Sequence, residues 1–449
     1  MKISKPKLFT FGFSAIGVNM LNLIMGAYLC DALLTEGFVA DIANRTYLNE
    51  NLVIVSIWAI FITVAKIIDG IIDVPLAGFL DNLNTKFGKR KTGIVIGFIP
   101  MAISFILFLM PLTTGATMLN TLWFGFFLVL FYCSYTCVML AYYASFSEIT
   151  NNDKERQFLA NVKSVADVIY FVLGYALIPI LIGSMNIRWI SLLFFPFSLL
   201  IFLTFFIVDK KSPATDVSVK AEAGGTFRSL KVVCKNRDFM LWMIVYAIMT
   251  FGVQLFLTGQ DVFFSGVGNF TGGKIAIINA CAFGPVPLTI MLYNVFVKKK
   301  GLRVGYNYAL IAFTVGMVIC TFVNDSLVPS EGTRLILAIV GALFCSLGIG
   351  TFFSISYVVP SQLSAKEKEE TGHTQPSMYF AVQGLVGAGV TAISTGVIWI
   401  NMRQYDLVYL LMILVGIVLM ISVVTTVILP KSVALIGKNK KSSLETDDT

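Results

Sequence analysis

Charge is scarce in this sequence. Of its 449 residues only 13% are Asp, Glu, Lys or Arg, roughly half the share of a soluble domain. Histidine occurs once, at His373, so a His-built metal site is excluded, and His373 falls in a loop where a proton relay is not expected. The seven cysteines are scattered mostly through apolar segments and suggest no disulfide framework. Cys133 and Cys137 stand four apart, but two thiols alone make a poor metal site, so they are read as packing residues. Strand-like alternation is also missing, which excludes a β-barrel. What is abundant is apolar: 57% of the residues are hydrophobic and the mean hydropathy is +0.83.

Apolar runs of about 20 residues recur along the whole chain, each long enough to cross a hydrocarbon core of ~30 Å. The sequence predicts an all-α membrane protein with twelve spans. They fall near 8–30, 52–80, 92–111, 119–147, 159–183, 188–208, 239–264, 274–297, 303–324, 333–360, 377–400 and 406–430. The apolar segment behind "MKISKPK" is longer than a signal peptide requires and lacks an A-x-A site, so it is read as an uncleaved helix. One set of loops carries Lys2, Lys5, Lys7, Lys86, Lys89, Arg90, Lys91, Lys154, Arg156, the basic residues between Lys210 and Arg237, Lys298 to Lys300, Arg303 and the "GKNKK" tail. The opposite set carries only Arg45, Arg188, Lys274, Arg334 and Arg403. The positive-inside rule then places both termini in the cytoplasm of a multi-pass plasma-membrane protein. The net charge of +8 follows from this topology and is no sign of nucleic-acid binding. Three sequons, at Asn44, Asn269 and Asn324, fall in predicted outer loops.

The longest polar stretch, "DKKSPATDVSVKAEAGGTFRSLKVVCKNR", divides the spans six and six. The expected organisation is a first bundle over 1–208, a central cytoplasmic loop over 209–237, a second bundle over 238–430 and a tail over 431–449. Gly384, Gly387 and Gly389 form a loose G-x-x-G-x-G with no strand before it. They are read as small residues for close helix contact, not as a nucleotide loop.

Against this background "KIIDGIIDVPLAGFLDN", residues 66–82, concentrates charge inside the second span. At 1.5 Å per residue Asp69 lies roughly 18 Å, and Asp73 roughly 12 Å, above the inner helix end near Asp81. Lys66, Asp69 and Asp73 are spaced three and four apart and share one face. A carboxylate at mid-membrane costs about 2.5–3.5 kcal/mol, so that face must look into the bundle. Two carboxylates one turn apart can hold a small hard cation or share a proton. The alternative is a Lys66–Asp69 pair that only fixes packing. Asp81 opens "DNLNTKFGKRK", which resembles, in stretched form, the charge-and-turn loop G-x-x-x-D-x-x-G-R-K between spans two and three of major facilitator transporters; it is either an inner latch or an ordinary positive-inside loop.

These residues resemble the glycoside–pentoside–hexuronide:cation symporters, the melibiose-permease-like family of the major facilitator superfamily. The family's basic residue, D-x-x-x-D, Pro and Gly match Lys66, Asp69, Asp73, Pro75 and Gly78, with Val74 inserted. "GFSAIGVN" resembles its G-F-G-x-x-G-x-D, with Asn19 in place of the acid. "SEITNNDKERQFLANVK" follows its P-E-L-T-…-E-R-…-R, and "EETGHTQPSMYFAVQG" resembles its loop into span eleven. The resemblance implies the major facilitator fold, two six-helix bundles and secondary active symport with Na⁺ or H⁺ by a monomer needing no cofactor. It implies a cation site of Asp69, Asp73 and Thr136, and a substrate site including Asn19, Tyr135, Tyr143 and Lys163. Met139 stands where the family often has a carboxylate or amide, and Gly387 near a usual lysine. Without those acids a polyol can still be bound through Asn19, Asn22 and Gln383; a less polar or lipid-like substrate fits as well. An inner gate of Asp81, Arg90, Glu148 and Arg156 is expected from their place at the inner helix ends.

Lys163 and Asp167, four apart, are expected to pair, Asp261 to be hydrated near an outer helix end, and Trp58, Tyr132 and Tyr170 to pack. Two other classes remain. An intramembrane prenyltransferase would use carboxylates for Mg²⁺ and diphosphate, but no Asn-Asp pair precedes Asp73 and no second acidic loop exists, so an enzyme is disfavoured. A transporter-like sensor without flux is the other. The expected partners are a small solute, most simply a carbohydrate, the coupling cation and the lipid bilayer.

Overall fold

The computed structural model describes residues 4–81, 83, 85–149, 153–208, 233–371 and 376–438. Among them are twelve helices long and apolar enough to cross a membrane, the number expected, and no strand. They are α1 Lys5–Leu33, α2 Val55–Asp73, α3 Lys89–Phe108, α4 Met118–Ser145, α5 Val165–Ile182, α6 Ile187–Phe206, α7 Arg237–Gly266, α8 Gly272–Lys300, α9 Leu302–Thr321, α10 Glu331–Pro360, α11 Val382–Gln404 and α12 Val408–Ile428. The helix of α2 continues to Asp81 with Pro75 inside it, and the helix Asp153–Val172 leads into α5. Proline has no N–H, so the Ile71 carbonyl one turn back is left without its helical partner beside Asp73. Three spans contain π-helical segments: Met25–Leu29 in α1, Leu173–Leu177 in α5 and Ala392–Trp399 in α11. Such segments break the 3.6-residue repeat and re-aim side chains.

The chain forms two compact units. Unit one comprises Met1–Ser218, Phe270–Ala276 and Thr395–Gln404; unit two comprises Val219–Asn269, Ile277–Ser394 and Tyr405–Thr449.

Unit one packs through missing side chains and stacked rings. A Cβ on Gly17 would sit 1.9 Å from the Phe197 carbonyl oxygen, and one on Gly97 would sit 2.8 Å from the Val138 backbone nitrogen. Only glycine permits these approaches of α1 to α6 and of α3 to α4. Around them Phe108 and Phe124 meet edge to face at 5.1 Å, and Trp58 lies 6.3 Å from Phe108. The loop after α1 is held by polar contacts. Asp41, at φ 58°, accepts a hydrogen bond from the Gly272 backbone N–H at 2.7 Å, and the Asn44 amide donates to the Ile182 carbonyl at 2.7 Å.

Unit two uses the same device between α9 and α10. A Cβ on Gly316 would meet the Gly341 carbonyl oxygen at 2.6 Å, and one on Gly341 the Gly316 carbonyl at 3.0 Å. Tyr306 and Ser422 share a hydrogen bond of 2.5 Å, and the Tyr306 ring lies 6.2 Å from Trp242. The glycines of α11 meet the expectation only in part: a Cβ on Gly387 would lie 3.4 Å from the Tyr246 hydroxyl of α7, whereas one on Gly384 or Gly389 would meet nothing within 4 Å. Small residues seat helices closely only where a neighbour approaches, and none does so at Gly384 or Gly389. Asp261 is likewise buried, at 5% exposure, not hydrated, because α7 continues past it to Gly266.

Candidate functional site

The site is built on the shared face of α2 and α4, two spans that run in the same direction through unit one. Parallel helices with residues 66 and 69 on one and 132 and 136 on the other bring the pairs into register. Thr136 Oγ1 donates to Asp69 Oδ1 at 2.8 Å. Lys66 Nζ lies 3.9 Å from the centroid of the Tyr132 ring, a cation–π distance. Among the described residues no ion pair joins Lys66 to Asp69, so the packing pair raised as an alternative is not formed. The ammonium is held by an aromatic face, and the Asp69 carboxylate is left with a hydroxyl. Asp73 follows one turn on, on the same face, and is exposed. The donors are all oxygen: two carboxylates and a hydroxyl, a set suited to Na⁺ or a proton and poorly suited to soft metals.

A second polar network lies on α1, α4 and the helix leading into α5, also in unit one. Tyr135 donates through its hydroxyl to Asn19 Oδ1 at 3.1 Å, and Asn19 Nδ2 donates to Asp167 Oδ1 at 3.2 Å. Lys163 Nζ donates to the same Asp167 oxygen, the pairing expected from their spacing. Lys163 also lies 5.9 Å from the centroid of the Tyr143 ring, and Tyr143 is 48% exposed. Four expected substrate residues, Asn19, Tyr135, Tyr143 and Lys163, are thus brought together. The fifth, Asn22, stands one turn further along α1 with its Oδ1 buried and without a hydrogen-bond partner. The sixth, Gln383, belongs to unit two. There it accepts from Trp242 Nε1 at 3.4 Å and donates to the Ser356 carbonyl at 2.7 Å.

Of the expected inner gate, the side chains of Asp81, Glu148 and Arg156 lie outside the described residues, as does His373. Arg90 sits in the first turn of α3.

Sequence reasoning missed the part played by four residues. Tyr132 is expected only to pack, although it stands four before Thr136 and so shares a helix face with it, as Lys66 three before Asp69 does. Asp167 was treated only as the partner of Lys163. Arg403 counts in the sequence only among the outer-loop charges and Asp31 has no role assigned there, yet both are buried and form an ion pair of 2.9 Å.

The helix arrangement is that of the major facilitator transporters. Among solved structures it is similar to the nucleoside transporter NupG, with a TM-score of 0.62 and 13% identity over 93% of this chain and 98% of that one. It is also similar to a bacterial homolog of the human lysosomal transporter Spinster in an inward-facing, unoccupied conformation, with a TM-score of 0.57 and 16% identity over 99% of both chains. At these identities the likeness shows the fold. No curated protein matches the chain at the level of sequence. The family described as MFS/sugar transport protein matches residues 10–435, and the chain belongs to that family. It is therefore a multi-pass membrane transporter of a small molecule.

Proposed function

We propose that this transporter is a cation-coupled symporter of a small polar organic solute, most simply a sugar or glycoside. It works by alternating access, as a monomer in the plasma membrane with both termini in the cytoplasm. The observation that carries the reading is the Asp69–Thr136 hydrogen bond of 2.8 Å with Asp73 one turn away on the same helix face. Carboxylates inside a span are costly unless they serve an ion or a proton. A cation or proton held by Asp69, Asp73 and Thr136 neutralises that face and stabilises the conformation that binds substrate. The solute is recognised in unit one through hydrogen bonds to Asn19, Asn22, Tyr135 and Lys163 and by the exposed Tyr143 ring, and Gln383 is proposed as a substrate residue of unit two. Charge contacts of Asp81, Arg90, Glu148 and Arg156 close the inner side when the carrier faces outward.

The test is uptake into vesicles of neutral glycosides, pentoses and uronates, with and without a Na⁺ gradient and with and without a pH gradient. Accumulation of one solute class driven by one gradient is expected. Only downhill equilibration under every gradient, for every solute, would contradict coupling.

A further inference from the structure

Asp167 is the one carboxylate of the second network, and its two oxygens are used unequally. Oδ1 receives both the Lys163 ammonium and the Asn19 amide. Oδ2 takes no hydrogen bond from any described residue. The Asp167 side chain is 38% exposed, whereas that of Lys163 is only 7% exposed. The opening of the cluster therefore lies at Asp167. Asp167 is on α5, within a stretch apolar enough to span the membrane. An ionised oxygen there is tolerated beside water or a polar ligand and costly against lipid.

Three features around that oxygen restrict what it can bind. Asp167 is paired with Lys163, so the two charges cancel and the cluster gains little from a charged ligand. The free oxygen is an acceptor only and selects hydrogen-bond donors. Beside the pair stands the 48% exposed ring of Tyr143, an apolar platform next to a polar grip. A neutral ring bearing hydroxyl groups satisfies all three, its hydroxyls donating to Oδ2 and its C–H face lying on the tyrosine.

We propose that Asp167 is the substrate-recognising carboxylate of this transporter. In this role Lys163 and Asn19 act as positioning residues that hold it, and the ligand is a neutral polyhydroxylated ring. The proposal rests on the symporter reading and sharpens it. Asn19 and Lys163 contact the solute less than the carboxylate they orient. Lys163 also sets the charge preference, because without it Asp167 stands uncompensated and favours a cationic ligand.

The experiment titrates the purified full chain with methyl and nitrophenyl glycosides of glucose, galactose and xylose, with glucuronate and with glucosamine. Ligand-dependent shifts in thermal stability are the readout. Wild type is expected to bind a neutral glycoside in preference to glucuronate and glucosamine. Asp167→Asn should weaken that glycoside roughly 10- to 100-fold, the loss expected for a hydrogen bond to a charged acceptor, while Asp167→Glu should retain part of the affinity. Lys163→Gln should turn the preference toward glucosamine, which a purely structural Lys163 would not do. Unchanged glycoside affinity in folded Asp167→Asn would overturn the proposal. So would an unaltered preference in folded Lys163→Gln, or a wild type that binds no neutral glycoside. If the Asn and Gln variants do not fold, reduced affinity in a folded Asp167→Glu supports the role and wild-type affinity there contradicts it. Cation-independent uptake with the Asp167 effects intact would strike the symporter reading alone.

Discussion

Arg403 Nη1 donates to Asp31 Oδ1 at 2.9 Å, and neither side chain is more than 4% exposed. The guanidinium makes five hydrogen bonds, one for each N–H: to Asp31 Oδ1, to the Asp31 and Leu34 carbonyls, and twice to the Glu36 carbonyl. Trp399 Nε1 donates to the same carboxylate oxygen at 3.0 Å, and the Phe38 ring lies 5.0 Å from the guanidinium. The end of α11 is thereby fastened to the last turn of α1 and the loop after it, within unit one.

A buried ion pair loses more when one member is removed than when both are replaced, because the survivor is left charged and unpaired. Arg403→Ala or Asp31→Leu alone should therefore destabilise the protein by about 3–5 kcal/mol. The pair Asp31→Leu with Arg403→Met should recover part of that loss. Recovery stays incomplete because the Leu34 and Glu36 carbonyls also lose their donor. Thermal unfolding in detergent checks this; single variants that melt with wild type would show that the pair is not a stabilising unit.

Gly17 and Gly384 form a contrasting pair. With the Phe197 carbonyl 1.9 Å from a Cβ at Gly17, Gly17→Ala forces the backbones of α1 and α6 apart and should cost about 1–3 kcal/mol, as overpacking does. Gly384→Ala meets open space and should be neutral or slightly stabilising, since alanine is the better helix former. Equal effects of the two on thermal stability would contradict the packing described.

Asn19 bridges Tyr135 and Asp167 with its two amide ends. Asn19→Ala takes one hydrogen bond from Tyr135 and one from Asp167, and substrate binding should weaken by about 1–3 kcal/mol. Cation binding should be unchanged, since Asp69 takes its hydrogen bond from Thr136. Separate titrations of substrate and cation decide the point; a matched loss of both affinities would indicate a general disturbance of unit one.

Much of this organisation is legible in the sequence because the membrane imposes it. Twelve long apolar runs can only be helices, and the three-and-four spacing of Lys66, Asp69 and Asp73 already puts them on one face. The Lys163–Asp167 pair follows from its own i, i+4 spacing. Contacts between distant segments are not legible in this way. Nothing in the spacing of Asp31 and Arg403 says that two isolated helix-end charges meet. The cation–π contact of Lys66 with Tyr132 depends on the register of α2 against α4, which hydropathy does not set. Gly384 and Gly389 show the converse: of three glycines in a helix-contact pattern only Gly387 faces a neighbouring side chain, Tyr246.

The central claim is that Asp69 and Asp73 couple an ion to the solute. Purified protein in proteoliposomes, with a Na⁺ or pH gradient imposed, tests it most directly when wild type is compared with Asp69→Asn and Asp73→Asn. Wild type should concentrate its solute above the external level under one gradient. Each variant should fold, retain solute exchange down a gradient and fail to concentrate the solute. Concentrative uptake at wild-type extent in both variants would contradict the account.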